Sequence, residues 1–171
     1  DANSWDQLLK EHVQTVVSHF KGRVKSWDVV NEAFNEDGTL RNSIWKEHLG
    51  VSYIEKAFRY AHEADPEAVL YYNDFNLVTN RTKQNAVLQF MSDLRDKGVP
   101  IHGIGAQMHI TAQFIDLHEV NKVLQDYSKV GFMVRISELD ISLNPYAQEI
   151  NQPTSNDLNR QARLYLAIFK L

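Results

Sequence analysis

Apolar residues at Trp5, Leu8, Leu9, Val13, Val16, Val17 and Phe20 recur three and four positions apart, which places them on one face of a helix. Ser4 followed by Gln7 predicts a capping box at its start. The period then shortens, and Val24 to Val30 reads as a strand. Ile54, Ala57, Phe58 and Ala61 predict a second helix from Ser52 to Glu63, which Asp65-Pro66 terminates. The β-rich run Val69-Leu70-Tyr71-Tyr72 follows. A helix from about Arg81 to Lys97 carries Val87, Phe90, Met91 and Leu94 inward, with Gly98 suited to its C-terminal cap. The pattern continues with a strand from His102 to Gln107 and a helix from Leu117 to Lys129, on which Val120, Val123, Leu124 and Tyr127 share a face. A strand from Phe132 to Ile136, a polar stretch from Ser142 to Asn156 and a last helix running to Leu171 complete it.

Helices alternating with strands predict an α/β fold with a parallel sheet. An open doubly wound sheet and a (β/α)8 barrel both satisfy that order. The doubly wound form usually carries a glycine-rich phosphate loop after an early strand, and neither G-x-G-x-x-G nor a Walker motif occurs. A complete barrel needs roughly 200 residues or more, so 171 residues with four strands amount to about half of one. Helical patterning that begins almost at Asp1, and an apolar run from Leu164 to Leu171 with no Gly, Asn or Pro to stop it, predict a single segment of a larger barrel, truncated at both ends.

A hydrophobic fraction of 43% with 23% charged residues is ordinary for a packed chain and excludes intrinsic disorder. The net charge of −4 provides no basic footprint for nucleic acid. No apolar run approaches the roughly 18 residues of a membrane span. The absence of cysteine excludes disulfides and thiol chemistry.

Each strand pattern ends in polar residues: Asn31-Glu32, Asn73-Asp74, Gln107-Met108-His109 and Ser137-Glu138-Leu139-Asp140. Four such endings in register describe the C-terminal rim of a barrel, where active sites sit. Two glutamates on different strands suit glycoside hydrolysis, in which one carboxyl acts as nucleophile and the other as acid/base. His109 and Asp140 are placed to keep a nucleophile ionised. The acid needs a raised pKa to hold its proton near neutral pH. Asp28 reads as a structural carboxylate, Arg135 as an ion-pair partner behind the barrel wall, and Trp5 and Trp45 as packing residues. Tyr146 in the polar stretch reads equally as a sugar platform or an exposed loop residue. With one clear rim histidine and no H-x-H or H-E-x-x-H, the ligand supply for a metal is poor, and neither metal nor cofactor is expected.

Four segments taken together are identifiable. Trp27-Asp28-Val29-Val30-Asn31-Glu32-Ala33, Leu70-Tyr71-Tyr72-Asn73-Asp74-Phe75-Asn76, Gly103-Ile104-Gly105-Ala106-Gln107-Met108-His109 and Ile136-Ser137-Glu138-Leu139-Asp140-Ile141 resemble, in order, the fourth to seventh strands of glycoside hydrolase family 10, the retaining endo-1,4-β-xylanases. The resemblance implies Glu32 as acid/base and Glu138 as nucleophile. It implies Asn31 as the residue that hydrogen-bonds the sugar at the cleavage point, His109 as the support of the nucleophile and Asp140 as the support of His109. Gln107 is implied as a further substrate contact, and Asn73 and Asp74 as cleft-lining residues. Phe75 stands where a tyrosine is common, so one hydroxyl contact on the leaving side is missing. The implied partner is xylan or a xylo-oligosaccharide, and the implied location is secreted, cell-surface or periplasmic. The family's remaining strands have no counterpart in this sequence. That predicts open sheet edges able to self-associate or recruit the missing barrel half. Two other readings stand beside catalysis: an inactive xylan-binding or scaffold segment, and a metal-dependent barrel enzyme.

Overall fold

A computed structural model describes residues 1–144 and 152–171. Six helices are described, α1 (Ala2–Phe20), α2 (Ile44–Leu49), α3 (Ser52–Ala64), α4 (Arg81–Asp96), α5 (Leu117–Lys129) and α6 (Ser155–Ile168). The six strands are β1 (Ser26–Asn31), β2 (Val69–Asp74), β3 (Gly103–Ala106), β4 (His109–Thr111), β5 (Met133–Ile136) and β6 (Asp140–Ser142). Strands β1, β2, β3 and β5 form one parallel sheet in that order. Each crossover between neighbours contains a helix, as parallel pairing requires.

The buried face of the sheet takes Leu70, Tyr72, Ile104 and Ala106, which pack with Ile54, Phe58, Val87, Met91, Val120 and Tyr127 of the helices into one core. The opposite face is polar and concave. Arg135 on β5 reaches β1, where it donates to Ser26 Oγ at 3.0 Å and pairs with the Asp28 carboxylate. In a flat sheet, strands three places apart lie about 14 Å from each other, beyond one arginine's reach. The sheet is therefore strongly curled, as a barrel wall is. The Asp28–Arg135 pair lies on this inner face, stacked on the Tyr71 ring (4.3 Å), and not behind the wall as the sequence suggested. Gly103 makes this possible: a Cβ there would overlap the Tyr71 ring.

Several elements differ from the sequence reading. The cap of α1 is Asp1, whose carboxylate accepts the Ser4 N–H at 2.9 Å, so the Ser4–Gln7 capping box does not form. An acidic side chain reaches the first free amides before Ser4 can. Helix α2 carries no apolar period and was not expected; Ser43 caps it. Helix α6 ends at Ile168, short of Leu171, and begins with a capping box between Thr154 and Asp157. Beyond the main sheet, β4 and β6 form a second short parallel ladder with His109 opposite Asp140. Tyr146 lies outside the described residues.

Candidate active site

The strand ends converge on one hydrogen-bonded chain. Gln107 Nε2 donates to Glu32 Oε1 at 3.0 Å and to Asn31 Oδ1 at 3.3 Å. Asn73 Nδ2 donates to the same Asn31 oxygen at 3.0 Å and to Glu138 Oε1 at 2.8 Å. Glu138 Oε2 faces His109 Nε2 at 3.2 Å, and His109 Nδ1 meets Asp140 Oδ2 at 2.5 Å. Three amides, those of Gln107, Asn31 and Asn73, thus join two carboxylates from different strand ends, and an imidazole and a third carboxylate extend the line. Ser137 Oγ donates to Asn73 Oδ1 at 2.6 Å, which fixes the amide so that its NH2 points at Glu138. Gly105 lies under Asn73; a Cβ there would overlap Asn73 Oδ1.

Local backbone geometry aims these groups. Glu32 (φ 55°) and Met108 (φ 66°) occupy the left-handed region, which costs a non-glycine residue about 1–3 kcal/mol and persists where surroundings over-determine it. At Glu32 the N–H donates to Asn73 O at 2.9 Å, and the carbonyl accepts Arg41 Nη1 at 3.1 Å. The turn at Met108 separates the end of β3 from β4, so Gln107 and His109 leave the main sheet in new directions.

The Glu32 carboxyl does not have the raised pKa expected of an acid. The Gln107 hydrogen bond holds it below the ordinary glutamate value, aided by the Arg41 guanidinium 3.2 Å from Oε2, and burial opposes them too weakly. Its side chain is 32% exposed, so water also serves the charged form. His109 is shifted upward, chiefly by its bond to Asp140 and further by Glu138. A protonated ring donates from both nitrogens and serves both carboxylates at once; a neutral ring can donate to only one.

Of the eight residues singled out from the sequence, Asn31, Glu32, Asn73, Gln107, His109, Glu138 and Asp140 meet in this network. Asp74 does not. It is fully buried, pairs with equally buried Lys83 at 2.8 Å, and accepts the Tyr72 hydroxyl proton. It therefore stands behind the rim and lines no cleft. Burial pushes its carboxyl above the ordinary aspartate value, against the pull of Lys83 and Tyr72. Arg41, Tyr72 and Lys83 escaped the sequence reading. Arg41 lies in a loop without a motif, and nothing in a helix's first turn marks its lysine as buried. Among the described residues, no group of three or more His, Cys, Asp or Glu side chains is placed to hold a metal ion, and no helix is long and apolar enough to cross a membrane.

The family model described as "Glycosyl hydrolase family 10" matches residues 1–171. The chain belongs to glycosyl hydrolase family 10. Endo-1,4-beta-xylanase B of Thermotoga neapolitana is 44% identical over 164 residues, covering 96% of this chain and 46% of that protein. The solved GH10 structure from Paenibacillus barcinonensis superposes with a TM-score of 0.96 at 35% identity, over 99% of this chain and 52% of that one. Xylanase 10B from Thermotoga petrophila RKU-1, solved in complex with xylobiose, superposes with a TM-score of 0.86 at 42% identity, over 94% of this chain and 48% of that one. The chain spans about half the length of the curated relatives it matches. Its curled parallel sheet is part of a family 10 barrel.

Proposed function

We propose that the chain is the catalytic half of a retaining endo-1,4-β-xylanase that cleaves β-1,4-xylosidic bonds by double displacement. The observation that carries the reading is the single hydrogen-bonded line joining Glu32 to Glu138 through Gln107, Asn31 and Asn73. Glu138 attacks the anomeric carbon and forms a glycosyl ester while Glu32 gives its proton to the departing oxygen. Glu32, now ionised, takes a proton from the water that attacks the same carbon, and Glu138 leaves. Asn73 Nδ2 holds Glu138 Oε1 at 2.8 Å and His109 Nε2 lies 3.2 Å from Oε2, so the two side chains fix the direction in which the carboxylate points. Asn31 and Gln107 supply amide groups for the sugar next to the cleavage point. The depressed pKa of Glu32 suits its base role as it stands; its acid role requires the leaving-group oxygen to displace Arg41 or Gln107. The proposal includes a secreted, cell-surface or periplasmic setting, because polymeric xylan lies outside cells.

The chain spans about half the length of the relatives it matches, and that favours a second reading, in which this half binds xylan without cleaving it. A 2-deoxy-2-fluoro xylobioside with a dinitrophenolate leaving group separates the two. Catalysis predicts an intact mass increased by one fluorosugar, mapped to the peptide that contains Glu138 and absent from Glu138→Ala. Binding without an adduct would establish the second reading instead.

A further inference from the structure

We propose that Tyr72, backed by Asp74 and Lys83, is a positioning residue that holds the Glu32 backbone in its left-handed conformation and so aims the acid/base carboxylate; this rests on the assignment of Glu32 made above. The Tyr72 hydroxyl accepts the N–H of Ala33, the residue directly after Glu32, at 2.9 Å. Its own proton goes to Asp74 Oδ2, so the lone pair facing Ala33 is the one available. Asp74 is held in turn by the Phe75 N–H at 2.8 Å and by Lys83 Nζ at 2.8 Å.

Three features make this an anchor and not incidental packing. Tyr72, Asp74 and Lys83 are all fully buried, so no water can replace a lost partner. The tyrosine ring is set by Phe34, edge-on at 6.0 Å, and Lys83 Nζ sits over the Phe75 ring at 3.6 Å. The line also joins elements distant in sequence: Lys83 comes from α4 and also bonds Glu36 in the loop after β1 at 3.3 Å. The turn is also held by the Asn73 carbonyl, which accepts the Glu32 N–H, by the Arg41 N–H, which donates to Ala33 O at 2.8 Å, and by the Arg41 guanidinium, whose side chain is 48% exposed. Strain of this kind survives only where the surroundings enforce it, and Tyr72 adds a fully buried side-chain contact to the backbone bonds that hold the turn.

Tyr72→Phe removes the hydroxyl and keeps the ring. The test compares kcat/KM of the wild-type and variant chains on two xylobiosides, one with a dinitrophenyl leaving group and one with an alkyl leaving group. Departure of dinitrophenolate needs no proton, and departure of an alkoxide does. A misaimed acid therefore lowers kcat/KM on the alkyl xyloside by about 10- to 100-fold and leaves the dinitrophenyl substrate within about twofold. Equal loss on both, or no loss, overturns the proposal, because a residue that only stabilises the fold would not distinguish leaving groups. Amide hydrogen exchange at Ala33 provides a readout independent of turnover: Tyr72→Phe should speed it at least about 10-fold while the neighbouring Asn31 amide is unchanged, and unaltered Ala33 exchange also overturns the proposal. If the variant fails to fold, Asp74→Asn takes its place. It retains an acceptor for Tyr72 but loses the charge, and should shift both readouts in the same direction. A wild-type chain that turns over neither xyloside would overturn the xylanase reading, and Ala33 exchange would then decide alone whether Tyr72 holds this turn.

Discussion

Glu32 and His109 respond to pH in opposite directions, and each does so because of neighbours far away in sequence. The raised pKa of His109 means that the fold favours its protonated form. Its contribution to stability is therefore complete below the unfolded imidazole value of 6.5 and is lost as pH climbs through the folded value. Glu32, shifted down from 4.5, contributes above that unfolded value and loses its contribution as pH falls through the folded one. Asp140→Asn removes the largest cause of the His109 shift. The wild-type melting temperature should then fall more than that of Asp140→Asn between about pH 6 and about pH 9, a window spanning the ordinary imidazole value; parallel curves would contradict the His109–Asp140 coupling. The strand-end motifs made the identity of these side chains legible. Their charge states were not legible, because the donors that set them, Gln107 and Arg41 for Glu32, converge only after folding.

At the scale of elements, β3 shows why a strand with two glycines belongs in this sheet. Glycine normally weakens a strand, but Gly103 and Gly105 lie beneath the Tyr71 ring and the Asn73 amide, which cross the concave face toward Arg135 and Glu138. Gly105→Ala should cost about 1–3 kcal/mol, the usual range for overpacking, measured as a lower urea midpoint with an unchanged slope. It should also loosen Asn73 from Glu138. A neutral result would mean that Asn73 has room to move. The long helices α1, α3, α4 and α5 were legible because each buries a continuous apolar stripe. Helix α2, six residues long, and the three-residue strands β4 and β6 carry too few positions to show a period. The two short strands exist because the ladder resumes past the turns at Met108 and Glu138, where pairing geometry and not propensity decides.

For the whole molecule, the outermost strands β1 and β5 have no neighbour on their outer sides among the described residues. A cleft of about 330 Å³ lies along β1, with Leu9, Val13 and Val29 in its wall and Asn31, Glu32 and Arg41 at the rim. A larger one of about 910 Å³, lined by Leu124, Phe132, Met133 and Phe169, lies along β5. Open edges beside apolar surface favour pairing with another chain. The mass of the 171-residue chain in solution, measured by light scattering after size exclusion, should therefore rise with concentration; a monomer at every concentration would contradict this. The sequence by itself determined the parallel α/β architecture, the family and seven of the rim residues, because apolar period and strand-end motifs are local and survive without coordinates. Only the tertiary structure decided that Asp74 withdraws behind the rim to Lys83, that Arg135 ties the inner face together, that Gln107 and Arg41 hold the Glu32 carboxyl below its ordinary value and that Tyr72 reaches the turn beneath it. Each depends on which distant groups share a small, partly dry volume, and sheet curvature and burial set that volume, not spacing along the chain.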